Sequence, residues 1–131
     1  MNIYLDINNV LISDKTATLG ADELIAHLTS EYPDSVYWLS EYCHNGSNTA
    51  IEVLSPYLKS ETVALLESIK PAYWKDLRTE AIDFSKNFRW IGNSLWPDEM
   101  KELEENNASG NFISVDATKD PEILHKITNL L

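Results

Sequence analysis

Near the start of the chain, an aspartate stands at the end of a short apolar run. Asp6 follows the run Ile3–Leu5, and two asparagines, Asn8 and Asn9, come shortly after it. In an open parallel sheet the ligand crevice lies at the carboxyl ends of the strands, and we expect Ile3–Leu5 to be such a strand. A carboxylate at that edge can act as a nucleophile or hold a cation. The simpler alternative is that Asp6 begins a turn, where aspartate is common.

Four other polar residues follow apolar runs or lie close to them. Ser40 ends a second run, Asn93 follows a third run, and Asp98 lies five residues beyond Asn93. Lys75 stands between these runs, at the start of a predicted helix. Taken singly, each has a structural interpretation: strand-end serines are frequent, and a helix lysine is usually solvated. Asn93 suits a left-handed turn, and Asp98 complements a helix dipole.

Together these residues resemble the motif series of the haloacid dehalogenase-like (HAD) superfamily. Its first motif is aspartate, any residue, aspartate, glycine; Asp6 begins a similar segment in which Asn8 and Asn9 replace the last two residues. Ser40 is similar to the serine or threonine of the second motif, which hydrogen-bonds a phosphoryl oxygen. Lys75 is similar to the lysine of the third motif, which neutralises charge on the nucleophile and the phosphoryl group.

The fourth HAD motif usually supplies acidic residues at the end of a later strand. The run Trp90-Ile91-Gly92-Asn93 is similar to the Trp-x-Asp-Asp run of compact, capless members, with glycine and asparagine at the acidic pair. Asp98 has a spacing compatible with another form of this motif, in which glycine-aspartate is followed some residues later by a second aspartate.

The resemblance implies a phosphohydrolase whose first aspartate attacks phosphorus and forms an aspartyl-phosphate. It places Asp6 at the nucleophile, Asn8 at the acid–base position and Lys75 beside them. It assigns the phosphoryl contacts to Ser40, Asn9 and Lys75, and the ligands of Mg²⁺ to Asp6, Asn8, Asn93 and Asp98. Because Asn8 cannot transfer a proton and Asn93 offers only a neutral amide oxygen, we expect Mg²⁺ binding and turnover to be weakened or lost.

Several functions remain open at this point. One is a weak Mg²⁺-dependent phosphatase, and another is a non-catalytic relative that binds a protein partner or a small anion through the same crevice. Metal-free dehalogenation also uses a strand-end aspartate, although nothing in the sequence indicates a halide pocket. The adjacent Cys43 and His44 are disfavoured as a nucleophile–base pair, because neighbouring residues seldom point toward each other and no orienting third group is evident.

The positions of apolar residues predict an α/β fold. Strands are expected at Ile3–Leu5, Val36–Leu39, Phe88–Ile91 and Phe112–Val115. Between them, helical spacing predicts helices that begin near Ala21, Thr49, Glu61, Trp74, Pro97 and Asp120. We expect those that begin at Glu61, Trp74 and Pro97 to reach Lys70, Phe84 and Glu105, Thr49 to cap its helix, and Leu130 of the last helix to face the core. Strands that alternate with helices imply parallel pairing. We therefore expect a three-layer Rossmann-like (HAD-like) fold with a parallel sheet of about four or five strands, formed by residues 1–131 as a single domain without a cap domain.

Composition restricts the partners. The chain has 131 residues and a formal net charge of −11, and it has no basic cluster. Extended nucleic acid and anionic membranes are therefore disfavoured. The partners that the HAD resemblance implies are a small phosphorylated molecule or a protein, and with this charge a phosphate ester requires a locally positive or metal-bearing site. No apolar stretch reaches the ~18 residues of a membrane span, and no secretory signal is evident. With a single cysteine, Cys43, the expected location is the cytoplasm.

Overall fold

The computed structural model describes residues 1–131. A five-stranded sheet forms the centre, a two-stranded hairpin follows the first strand, and five α-helices surround the sheet. In chain order these elements are β1 (Asn2–Leu5), β2 (Ile12–Ser13), β3 (Thr16–Ala17), α1 (Ala21–Glu31), β4 (Val36–Trp38), α2 (Ala50–Leu54), α3 (Ser60–Leu65), β5 (Lys70–Pro71), β6 (Phe88–Gly92), α4 (Pro97–Glu105), β7 (Phe112–Ser114) and α5 (Ile123–Leu130).

The large sheet is parallel throughout, with the strand order β5-β4-β1-β6-β7. The central strand is β1, from which the chain first builds β4 and β5 on one side and later β6 and β7 on the other. Leu5 pairs with Trp38 of β4 and with Ile91 of β6, so the three strands end at the same level. The order of the strands reverses at this edge, where open α/β sheets form their ligand crevice.

Alternating side chains of β1 enter two separate apolar clusters, one on each face of the sheet. Ile3 and Leu5 pack in the cluster that includes buried residues of α1, α2 and α5. Tyr4 packs in the second cluster, which includes Trp90 and the buried Leu103 of α4. This arrangement confirms the predicted three-layer Rossmann-like α/β fold, in which helices cover both faces of a parallel sheet.

The local predictions agree best where apolar periodicity is simple. All four predicted strands form within one residue of their expected bounds, and α4 spans Pro97–Glu105 as predicted. The sequence did not indicate the short edge strand β5 or the β2–β3 hairpin. The hairpin turn contains Asp14 and Lys15, both with positive φ, which suits the tight two-residue loops that join antiparallel strands.

The predicted helix from Trp74 to Phe84 is wrong. The segment is irregular apart from a 3₁₀ turn at Arg78–Ala81. The Glu80 carboxylate accepts the backbone N–H groups of Lys75, Asp76 and Leu77, the three residues that precede the 3₁₀ turn. These N–H groups are therefore satisfied by a side chain and not by helical carbonyls. Such local side-chain bonds offer the backbone an alternative to the helix.

Three smaller expectations also differ. The helix predicted over Glu61–Lys70 is shorter, because α3 gives way to a 3₁₀ turn at Leu66–Ser68 and then to β5. In α5, Leu124 is buried and Leu130 is 74% exposed, although Leu130 was expected to face the core. Thr49 precedes α2 but makes no capping hydrogen bond with its side chain.

None of the helices combines the length and apolar character that a membrane crossing requires.

Candidate functional site

A crevice of about 170 Å³ opens at the carboxyl edge of the sheet. It lies where the strand order reverses, and each of the three central strands contributes to it. Its walls are Asp6, Asn8 and Asn9 after β1, Glu41 after β4, Asn93 and Ser94 after β6, and Trp74, Arg78 and Trp96 from the segments beside them. Pockets for drug-sized ligands measure ~300–1,000 Å³, so this crevice suits a small group or a single side chain.

Asp6 lies at the base of the crevice and is only 8% exposed. Its Oδ1 accepts the backbone N–H of Ile7 at 2.7 Å, and its Oδ2 accepts Nη1 of Arg78 at 3.2 Å. Burial raises the pKa of Asp6 from 3.8 to about 6, because loss of water outweighs the two hydrogen bonds and the guanidinium charge. The carboxylates of Glu41 and Glu99 raise the pKa further. Asp6 is therefore mainly ionised at neutral pH.

Arg78 is the cation beside Asp6, and its guanidinium is fixed from several directions. Its Nε and Nη2 donate to the two carboxylate oxygens of Glu99 at 2.9 and 2.7 Å, and Nη2 also donates to the Ser94 carbonyl at 2.9 Å. The group lies 5.0 Å from the ring centre of Trp90 and 4.8 Å from that of Trp96. Bidentate pairing and stacking are arrangements that arginine makes and lysine cannot reproduce.

Glu99 holds Arg78 in this position. It belongs to the first turn of α4, is 0% exposed, and accepts the Trp96 backbone N–H at 2.9 Å as well as the backbone N–H of Arg78 at 3.0 Å. The residues from Glu99 to Glu105 form a charged run that, by sequence, favours a solvated helix face, and for Glu99 this interpretation is wrong. Asp98, one of the four residues that the resemblance assigned to the metal, is exposed beside it and does not line the crevice.

Asn8 and Asn9 line the opposite wall. The Asn8 amide donates to the Glu41 carboxylate, and its oxygen accepts the Tyr42 hydroxyl at 3.0 Å. Asn9 has φ of 60°, a left-handed conformation that asparagine tolerates better than most residues. Both asparagines thus lie where the sequence expected them, but other side chains engage the Asn8 amide.

Ser40 and Lys75 are not part of the crevice wall. Ser40 is fully buried, and its Oγ accepts the Tyr42 backbone N–H at 3.2 Å, which caps the 3₁₀ turn at Glu41–Cys43. Lys75 is exposed, and its backbone carbonyl accepts Nε2 of His44 at 2.7 Å. The cation that contacts Asp6 is therefore Arg78, three residues farther along.

Asn93 lies on the crevice wall as expected, and its amide nitrogen is occupied. It donates to the Val115 carbonyl at 2.8 Å, which ties the end of β6 to the segment after β7.

The adjacent Cys43 and His44 do not line the crevice. Burial raises the pKa of the Cys43 thiol above its usual range, which disfavours the thiolate that a nucleophile needs.

The donors in the crevice fit Mg²⁺ poorly. An Mg²⁺ site normally uses one or two carboxylates together with waters and substrate phosphates. Of the two carboxylates that line the crevice, the buried Asp6 already pairs with a guanidinium and Glu41 accepts the Asn8 amide. Asn8 and Asn93 bring only neutral amides. No group of three or more His, Cys, Asp or Glu side chains is arranged to hold a metal ion.

Sequence reasoning missed Arg78, the cation that lines the crevice, and Glu99, the buried carboxylate that holds it there. Arg78 begins the 3₁₀ turn of an otherwise irregular segment, and no motif in the sequence indicates it. Glu99 did carry a usable signal, because it stands three residues after Trp96 and two after Pro97. A glutamate at that place can return to the backbone at the start of its helix, which brings its carboxylate toward the preceding loop.

Comparisons with family models, with curated proteins and with solved structures found no match to this chain.

Proposed function

We propose that this chain is a HAD-like protein whose phosphohydrolase site no longer turns over and whose crevice serves as a binding module. The observation that carries the proposal is the state of the acid–base position. It holds Asn8, and the side chain of Asn8 is engaged by Glu41 and Tyr42. A positioned acid–base group contributes ~10²–10⁴-fold to such reactions, so an asparagine there removes a large part of the rate.

The contacts available to a phosphoryl group point the same way. The Ser40 hydroxyl is buried outside the crevice, and Lys75 is exposed elsewhere. Arg78 remains, but Asp6, Glu99 and the Ser94 carbonyl already accept from its guanidinium. An incoming dianion would meet the two carboxylates that line the crevice, Asp6 and Glu41, at close range. Like charges in a partly dry crevice repel strongly.

The first test is an activity assay. We expect the wild-type protein to hydrolyse p-nitrophenyl phosphate no faster than the variant Asp6→Asn. This should hold both in EDTA alone and with MgCl₂ in about 10-fold excess over EDTA. Turnover that Mg²⁺ stimulates and that Asp6→Asn abolishes would overturn the proposal of a non-catalytic module.

That opposite outcome would support a second candidate, a weak Mg²⁺-dependent phosphatase. One observation favours it: Asp6 is ionised at neutral pH and faces the crevice next to a guanidinium. This is the environment that a carboxylate nucleophile requires. A small phosphorylated molecule would then be the substrate.

A gain-of-function variant tests the HAD-like origin itself. The double substitution Asn8→Asp with Asn93→Asp restores the family's acid–base and metal-binding carboxylates, and we expect it to create Mg²⁺-dependent hydrolysis. The matched control, Asn107→Asp with Asn129→Asp, adds the same charge at exposed positions outside the crevice. Equal inactivity of both double variants in a folded state would argue against descent from a phosphohydrolase.

The cysteine content of the chain bears on its location. We propose the cytoplasm, because Cys43 is the single cysteine and is buried. Fractionation of cells that express the tagged protein tests this assignment.

A further inference from the structure

We propose that the crevice binds an organic cation, an alkylammonium or guanidinium group. This inference rests on the proposed binding function and names the chemical class of its ligand. It is carried by the shape of the crevice, by the balance of charge along its walls, and by the way the chain already holds one guanidinium there.

The charge balance of the crevice is negative. Two carboxylates, Asp6 and Glu41, line it, against one cation, Arg78. The charge of Arg78 is already matched by the buried Glu99, which accepts two of its guanidinium hydrogen bonds. The whole chain carries a formal net charge of −11, so its long-range field also favours positively charged ligands.

Hydrogen-bond acceptors are also in excess. The Asn93 amide nitrogen is committed to the Val115 carbonyl, which leaves its oxygen as the free end of the group. One carboxylate oxygen of Glu41 accepts the Asn8 amide, and the other oxygen accepts no hydrogen bond within the chain. An ammonium or guanidinium group has only donors to offer and therefore complements these oxygens.

Aromatic walls complete the site. Trp74 and Trp96 are in edge contact, with ring centres 5.6 Å apart, and Trp96 is 43% exposed at the rim. Tryptophan faces attract cations and cover the alkyl stem that carries them. Arg78 demonstrates this in the same crevice, since its guanidinium lies against Trp96 while a carboxylate binds its edge.

The ligand group has two sources, a free small amine or a Lys or Arg side chain of another protein. The crevice volume of about 170 Å³ suits either, because only the cationic end needs to enter. The shared chemistry is a cationic head on an apolar stem, and the arms of the experiment separate the two sources.

The test is a titration followed by NMR of the indole N–H groups of Trp74 and Trp96. The probes are n-butylammonium, n-butylguanidinium, the peptide acetyl-Gly-Lys-Gly-amide, and the same peptide with an acetylated lysine. We expect the three cationic probes to shift both signals and the acetylated peptide to leave them unchanged. Tighter binding of the lysine peptide than of butylammonium assigns the group to a protein, and tighter binding of butylammonium assigns it to a free amine.

Variants make the result specific. Glu41→Gln removes a charge from the crevice rim and should weaken the cationic probes about fivefold, as the loss of one close charge in a solvated site does. Glu67→Gln removes an exposed charge outside the crevice and should leave the affinity unchanged.

Two outcomes overturn the inference. One is that butylammonium leaves the indole signals unchanged, whether or not two control ligands, n-butyl phosphate and MgCl₂, shift them. The other is that Glu41→Gln and Glu67→Gln weaken the cationic probes equally, which would indicate attraction by the overall charge alone. Phosphatase activity of the wild-type protein would contradict the proposed non-catalytic function. The titration decides separately whether the crevice binds cations.

Discussion

The two walls of the crevice differ in how completely their polar groups are satisfied. On the inner wall, Asp6, Arg78 and Glu99 form a buried network in which both carboxylates accept hydrogen bonds and the guanidinium lies between two tryptophan rings. On the outer wall, Asn8 and Glu41 meet near the surface, and the second carboxylate oxygen of Glu41 accepts no hydrogen bond within the chain. The difference shows that one site combines a buried, hydrogen-bonded charged base with a solvated polar rim.

The inner wall should matter most for stability. A buried ion pair is costly to assemble, and removal of one partner leaves the other charge without compensation. The outer wall is solvated, where a single charge contributes little to folding. Substitutions on the two walls should therefore separate an effect on the free energy of unfolding from an effect on binding.

The largest expected effect is that of Glu99→Gln. The substitution leaves the buried Arg78 guanidinium with Asp6 as its one carboxylate partner. It also places an amide N–H₂ group against the N–H donors of Arg78. Removal of one partner of a buried pair typically costs ~3–5 kcal/mol. We expect the free energy of unfolding, measured by urea denaturation, to fall by about that amount.

The control for this prediction is Glu104→Gln, which alters an exposed glutamate of the same helix. It should change the free energy of unfolding by less than ~0.5 kcal/mol. Equal effects of the two substitutions would show that the hydrogen bonds between Glu99 and Arg78 do not stabilise the fold.

The next effect in size is that of Asp6→Asn, which should stabilise the protein at neutral pH. In the folded chain the pKa of Asp6 is about 6, against an ordinary value of 3.8. Between those two pH values the folded state binds more protons than the unfolded state, so stability falls as pH rises through this window. At ~1.4 kcal/mol per pKa unit, the full penalty above pH 6 is roughly 3 kcal/mol.

The asparagine carries no such penalty, although it loses the charge attraction of Arg78. We expect the free energy of unfolding of Asp6→Asn to exceed that of the wild-type protein by roughly 1–3 kcal/mol at pH 7. The difference should shrink toward zero as the pH is lowered from 6 to 4. Denaturation curves at pH 4, 5, 6 and 7 measure it, and a difference that grows on acidification would contradict the assigned pKa.

The smallest effect on folding belongs to Glu41→Gln on the outer wall. Glu41 is exposed and its contact with Asn8 lies at the surface. An exposed contact of this kind contributes about 0–1 kcal/mol, so the midpoint of thermal unfolding should shift by no more than ~4 °C for a chain of 131 residues. A loss as large as that of Glu99→Gln would remove the distinction between the two walls.

Much of the fold could be predicted from the sequence, for reasons that particular elements make clear. In α1, the apolar spacing of Ala21, Leu24, Ile25 and Leu28 specifies one buried face, and all four residues are buried. The strand Ile3–Leu5 is apolar on both sides, as expected for a strand covered by helices on both faces. These signals are local and periodic, so short windows of sequence contain them.

The site was predicted less completely. Asp6, Asn8, Asn9 and Asn93 directly follow strands that end at one edge, and the structure brings them together. Lys75 and Ser40 lie outside the crevice, since the segment after β5 is not the predicted helix and the Ser40 side chain turns inward to cap a turn. Position along the chain predicted which residues lie near the edge, but not where each side chain points.

The sequence by itself determined the alternation of strands and helices, the apolar faces that build the core, and the placement of Asp6 at a strand end. Tertiary structure alone decided that Arg78 and Glu99, 21 positions apart, meet beside that carboxylate. The physical reason is that periodic burial depends on neighbours within a few residues. A buried charge instead needs a partner of opposite sign, and only the packed chain supplies one.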